Sequence, residues 1–330
     1  MGNSLRARVR ARALSVCGVV LGVFPLTAPG QPSNYPTKPI RFLVANAPGG
    51  GLDITARTVG PTVSNALGQQ LIVDNRGGAA GSLAGEITAK AQPDGHTVLV
   101  GSIGTLAVNP HMYKGIGYHP LKDFAPLTFA VSGSNILVVH PTVAARTVPE
   151  LIALARGGSL TYGSTGSGNA AHLAAELFSS MAKVKMVHVP YKGGAPAMIA
   201  LLSGEVQLVF SSAPTAIPQV KAGKVRALAV TTLKRSAVLS DLPTIAESGL
   251  PGYEMDNWFG IVTTAGTPRP IVERLNAEFV KALSQSDIKE AFLRQGLEAA
   301  PGTPEAFGAY MKSEYNKWGK IIAEAGIATN

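Results

Sequence analysis

Two glycine-rich stretches, Ala47-Pro-Gly-Gly-Gly-Leu-Asp53 and Gly163-Ser-Thr-Gly-Ser-Gly-Asn169, each follow a short apolar run and each open a run with helical spacing. A helix start leaves backbone N–H groups unpaired and carries roughly half a positive charge. Glycine at that point lets a ligand come close to the backbone, so each stretch reads as an anion site. Two of them in one chain predict a single acid held between two lobes.

Other chemistries fit the same residues poorly. Gly166-Ser-Gly-Asn-Ala-Ala171 approximates the G-x-G-x-x-G/A dinucleotide fingerprint, but that pattern also needs an acid about 20 residues further on, at the end of the next strand. His188-Val-Pro-Tyr-Lys-Gly-Gly194 occupies that place and contains none. There is no G-x-S-x-G elbow, and Ser164 with His172 in one strand-loop-helix unit offers no third, orienting carboxylate. His172 and Glu176 share a helical face, yet the sequence has neither an H-E-x-x-H pattern nor a Walker motif. No catalytic residue, cofactor or metal is therefore expected, and a nucleotide-dependent α/β enzyme is the competing class.

The elements that must position the two stretches alternate along the chain. Strand-like runs fall at Ile40–Ala45, Leu71–Asp74, Thr97–Val100, Asn135–His140, Leu160–Tyr162, Met186–Val189, Val206–Phe210, Val225–Thr231 and Trp258–Thr263. After the first, Leu52, Ala56, Val59, Val63 and Ala66 recur at helical spacing, with Pro61 expected to kink the helix. After the second glycine stretch, Leu173, Leu177 and Met181 share one helical face. This alternation predicts an α/β protein of two lobes, each a mostly parallel sheet flanked by helices, with ligands outside the carboxyl ends of the strands.

The C-terminal region reads as helices at Ile271–Leu283, Ser286–Gln295 and Pro304–Ala325, with Thr303 as the cap ahead of Pro304. They are expected to pack back on the first lobe, which makes it discontinuous: residues 35–140 and 254–330, with 141–253 as the second lobe. Hinges are expected near Ile136–His140 and Trp258–Thr263.

Residues 1–30 read as a secretory signal peptide: Arg6, Arg8, Arg10 and Arg12, an apolar run from Ala13 to Leu26, then small residues at Thr27, Ala28 and Gly30. Four of the charges behind the formal +9 belong to that leader, and the remaining Lys and Arg are scattered rather than clustered, so nucleic acid is not an expected partner. The only cysteine, Cys17, also lies in the leader, so the mature chain tolerates an oxidising compartment without using disulfides. About 300 mature residues suffice for two domains.

Six segments, in order, resemble the Bug-type (TctC-like) receptors of tripartite tricarboxylate transporters: Pro48-Gly-Gly-Gly-Leu-Asp53, Asn75-Arg-Gly-Gly-Ala-Ala-Gly-Ser82, Gln92-Pro-Asp-Gly-His96, Leu160-Thr-Tyr-Gly-Ser164, His188-Val-Pro-Tyr-Lys-Gly193 and Lys221-Ala-Gly-Lys-Val-Arg-Ala-Leu-Ala-Val230. The resemblance runs from about Tyr35 to the C-terminus. It implies a periplasmic solute receptor with the two-lobed periplasmic-binding-protein (Venus flytrap) fold, closing on a small organic carboxylate and delivering it to membrane permease subunits. A monomer is expected, and a secreted partner of a sensor would use the same closed state.

The resemblance also assigns residues. Pro48, Gly49, Gly50 and Gly51 match the loop that cradles the ligand carboxylate through backbone N–H groups. Asp53 matches an acid at the start of the next helix, which either touches ligand or satisfies free N–H groups. Ser164, Thr165, Gly166, Ser167, Gly168 and Asn169 match the second clamp, where some side chains cap the helix. Gly81, Ser82, Ser102 and Thr105 fall on the cleft wall or serve as ordinary turn residues. Tyr191, Lys192 and Gly193 form a further turn, with Lys192 either facing the ligand or solvated. His172 is read as a support for the second loop. Family members often carry acids where this chain has Ser211 and Gln207. Their loss implies a ligand without an amino group, with Ser211 as a donor to its carboxylate.

Overall fold

The structure, a computed structural model, describes residues 35–158, 160–236 and 238–325. The expected leader, Cys17 and the expected cleavage region near Ala28 to Gly30 lie outside the described residues. The chain runs β1 (Ile40–Val44), α1 (Gly51–Leu67), β2 (Leu71–Asn75), α2 (Ser82–Ala89) and β3 (Thr97–Ser102), then a π-helical turn over Gly104–Val108. Two short helices, α3 (Asn109–Met112) and α4 (Pro120–Asp123), lead into the long β4 (Phe124–Val139). The second half-circuit is α5 (Val148–Gly157), β5 (Leu160–Ser164), α6 (Ala170–Ala182), β6 (Met186–Pro190), α7 (Gly194–Leu202), β7 (Leu208–Ser212), α8 (Ala213–Lys221) and β8 (Arg226–Val230). The chain returns through β9 (Asp256–Thr264), α9 (Arg269–Ser284), α10 (Ser286–Leu293), β10 (Leu297–Ala299) and α11 (Pro304–Ala325).

Strands β2-β1-β3 and β7-β5-β6 form parallel triplets at the two ends of the order β2-β1-β3-β9-β4-β7-β5-β6. Between them the pairing is antiparallel, and β4 links the two ends: Phe124 to Ser134 pair with β9, whereas Asn135 to Val139 pair with β7. The apolar run Ile136–Val139 was legible as a strand; the stretch Phe124–Ser134 was not. Pro126 has no N–H to give the ladder, and it sits at the first of two register shifts against β9. α1 runs on through Pro61. Gly60, just before it, has no Cβ to collide with the proline ring.

The C-terminal helices follow expectation: Thr303 Oγ1 accepts from Ala306 N–H at 3.2 Å, α9 packs on α1 and β4, and α11 packs on β4 and the π-helical turn. Their anchor is Trp258 on β9, 1% exposed, edge-on to Phe307 and Tyr310 of α11. Glu314 accepts from the indole N–H groups of Trp258 and Trp318 at 3.2 and 3.1 Å, so neither buried donor is stranded. Full burial of one such ring is worth about 1.5–3 kcal/mol.

Candidate functional site

Four helices begin at one place. Gly51 of α1, Ala170 and Ala171 of α6, Gly194 of α7 and Ser212, the N-cap of α8, all line an interior cavity of about 20 Å³, room for a single water. The N-caps are Gly50, Asn169, Gly193 and Ser212, and none makes a side-chain capping bond. No N-cap side chain takes their first N–H groups, although Pro196 of α7 and Pro214 of α8 have none to offer, and the helix dipoles bring positive ends to this pocket. The remaining wall is Asn46, Ser102, Asn135, Thr165, Asn169 and Asn257 with Phe210 and Phe259; among the described residues no charged side chain lines it.

The second glycine stretch supplies much of that wall. The Asn169 side chain does not cap α6: its Oδ1 accepts from Ser102 Oγ at the end of β3 at 2.7 Å, and its Nδ2 donates to Thr165 O at 3.2 Å. Gly166 (φ +122°) lies against Ala80, and a Cβ there would sit 3.1 Å from Ala80 Cα. Tyr113 OH, at the end of α3, donates to Ser167 O at 2.7 Å. Gly168 N–H is taken by His172 Nδ1 at 3.1 Å, which gives His172 the supporting role expected of it.

Other expected residues sit near the cavity without lining it. Pro48 and Gly49 are exposed, and Gly49 N–H is spent on Asp53 Oδ2 at 2.9 Å. Gly50 packs by Gly194 without lining the cavity. Asp53 is buried, and its Oδ1 accepts from Arg57 at 2.9 Å. Burial would raise its carboxyl, but bonds from Arg57, Gly49 N–H and Asn75, with the Arg57 charge, outweigh that and hold it below its ordinary value. The helix-terminal reading of Asp53 therefore matches its partners. Gly81, Ser82 and Thr105 make a layer behind the wall: Ser82 Oγ accepts from Asn109, Thr105 Oγ1 donates to Ala80 O, and a Cβ on Gly81 would overlap Thr105. Tyr191 OH donates to Glu205, the Lys192 side chain is exposed while its carbonyl accepts from Ala47 N–H at 3.1 Å, and Gly193 packs on Ala47.

Ser211 is buried off the cavity, and its neighbour Ser212 lines it instead. Alternation along β7 sends Phe210 and Ser212 to one face and Ser211 to the other. Gln207 is equally removed, its Oε1 accepting from Thr161 N–H and Oγ1. Sequence reasoning missed Asn46, Asn135, Asn257, Ser212, Phe210 and Phe259. For Asn46 the signal was its place at the end of β1, one residue before the glycine stretch.

Ser164 is fully buried and bonds His188 Nε2 at 2.6 Å and Gly166 N–H at 3.1 Å, so it braces the loop from behind. His188 stacks on His172 at 4.3 Å and on Tyr162 at 4.9 Å; Tyr162 OH donates to Glu176. Burial pushes both imidazoles from 6.5 down to about 4, with the His172 charge also lowering His188. Between those pH values the unfolded chain binds more protons than the folded one, so stability falls as pH falls from 6.5 to 4. For His172 the loss is about 1.4 kcal/mol per pH unit. Thermal melts should show that decline, and His172→Gln, which keeps an acceptor for Gly168, should make it shallower, with His188 supplying the remainder. A wild-type melting temperature constant over the window would refute the buried-neutral assignment.

A family model described as "Tripartite tricarboxylate transporter family receptor" (TctC) matches residues 55–327. The "UPF0065 protein in tcbD-tcbE intergenic region" of Pseudomonas sp. (strain P51) is 40% identical over 299 residues, 90% of this chain and 89% of the relative. Protein BugT of Bordetella pertussis is 32% identical over 318 residues, 96% of this chain and 98% of BugT. Among solved structures, "R. palustris Rpa4515 with adipate" has a TM-score of 0.87 at 36% identity, covering 89% of this chain and 100% of that one.

Proposed function

This chain belongs to the tripartite tricarboxylate transporter receptor family, and from that membership we propose that it holds a small carboxylate at the four converging helix starts. It is a solute-binding receptor of the TctC type. The observation that carries the ligand assignment is the set of four helix N-termini, none capped by a side chain, around a wall with no charged side chain among the described residues. Adipate in the Rpa4515 structure supports the same ligand class.

A carboxylate entering the parted lobes exchanges water for charge-assisted hydrogen bonds from α1 or from α6, α7 and α8, and binds best when all contribute. Closure follows from that difference in affinity. In this reading the lobes are residues 35–140 with 254–330, and 141–253, joined by hinges in β4 and β9. The receptor is a monomer that acts in the periplasm after losing its leader near Gln31, passes its ligand unchanged to permease subunits, and performs no catalysis.

Protein recovered from a periplasmic extract, with an intact mass beginning near Gln31, should bind succinate or adipate stoichiometrically in calorimetric titration and return it unchanged by mass spectrometry. Binding of neither acid, or conversion of the acid, would overturn the reading.

A further inference from the structure

Asn135 stands at the seam where β4 leaves β9 and joins β7, 1% exposed and on the cavity wall. Its backbone is fully engaged: its N–H donates to Thr231 Oγ1 and its carbonyl accepts from Thr231 N–H, both at 3.0 Å. Its side-chain Oδ1 accepts from Asn257 Nδ2 at 3.0 Å. Nδ2 alone has no hydrogen-bond partner among the protein atoms. A buried amide donor left unmatched is costly, and native chains keep such groups where a partner arrives. Ser212, the register partner of Asn135 across the β4–β7 pair, lines the same cavity.

We propose that Asn135 is a specificity-determining residue whose Nδ2 donates to an oxygen of the bound carboxylate. The inference rests on the receptor reading above. Because Asn257 already donates to Oδ1 while Nδ2 has no partner among the protein atoms, the unmet group at this position is a donor, so an oxygen suits it better than an ammonium. Asn135 thereby extends the positive ends of the helices with a side-chain donor supplied from the seam itself. It reads the ligand at the point where both lobes meet.

Asn135→Asp keeps the shape and the oxygen that receives Asn257, while exchanging the donor for a negative acceptor. Its affinity for succinate at neutral pH should fall at least about a hundredfold, and that of Asn135→Ala about tenfold. In the wild type, the assigned side-chain NH2 signals of Asn135 in a ¹⁵N-labelled sample should move in step with succinate binding, a measurement that needs no variant to fold. A cooperatively melting Asn135→Asp protein that binds succinate within about threefold of the wild type would overturn the proposal. So would NH2 signals unmoved at saturation, which would mean that Nδ2 meets only water. Wild-type protein that binds neither succinate nor adipate overturns the receptor reading and this inference with it; binding by the wild type with either failure above overturns Asn135 alone.

Discussion

Succinate should bind at least about a hundredfold more tightly than aspartate, which differs from it by one ammonium group. That ammonium would enter a site toward which four helix N-termini point, and no carboxylate lines it among the described residues. Asp53, the nearest candidate by sequence, has one oxygen on Gly49 N–H and the other on Arg57. Gln207 is tied to Thr161, and the side chain that β7 does present is the hydroxyl of Ser212. A buried charge without a partner costs about 3 kcal/mol or more, which is at least a hundredfold in affinity. Paired calorimetric titrations at fixed salt and neutral pH measure the ratio. Equal or tighter binding of aspartate would show that Asp53 leaves Arg57 for the ligand, and would end the claim that the site is acceptor-selective.

The same comparison shows which parts of the site a sequence can carry. The starts of α1 and α6 were legible because a strand, a glycine turn and a helix are neighbours along the chain, and their local pattern determines where free N–H groups emerge. Ser211 and Ser212 were not distinguishable in that way. Which of two adjacent residues faces a cavity depends on strand register, and a slip of one residue exchanges the faces. Asn135 and Asn257 meet only because β4 and β9, distant in sequence, pair antiparallel; the two residues are 122 positions apart. Neither carries a local signal beyond being polar beside an apolar run. Pro48 and Gly49 match the family's loop, yet Asp53 draws the Gly49 N–H back onto the helix start and leaves the cavity to Gly51. Local chemistry marked the clamp, while long-range pairing selected the side chains that complete it.

Closure should depend on one missing methyl group at Gly104, in the π-helical turn. A Cβ there would overlap Asn169 Oδ1 and approach Gly168 O at 3.3 Å, so it would strike the second lobe while its own backbone needs no unusual φ. Asn169 has little room to retreat, because Ser102 and Thr165 hold both ends of its carboxamide. Gly104→Ala should therefore leave each lobe folded and keep them apart, with succinate affinity reduced about tenfold to a hundredfold, as overpacking by about 1–3 kcal/mol requires. Gly166→Val should lose more, since a β-branched residue at φ +122° is strained before it meets Ala80. Gly50→Ala should be mild by comparison: φ is −90° and the nearest atom to a Cβ, Gly194 N, is 3.6 Å away. Lys192→Ala, with its side chain in solvent, should change affinity less than about threefold. Calorimetry gives the four affinities, and small-angle scattering with and without succinate reports closure directly. If Gly104→Ala contracts on succinate as the wild type does and binds it equally well, Asn169 moves aside freely, and the Ser102–Asn169 contact is a consequence of closure with no part in setting it.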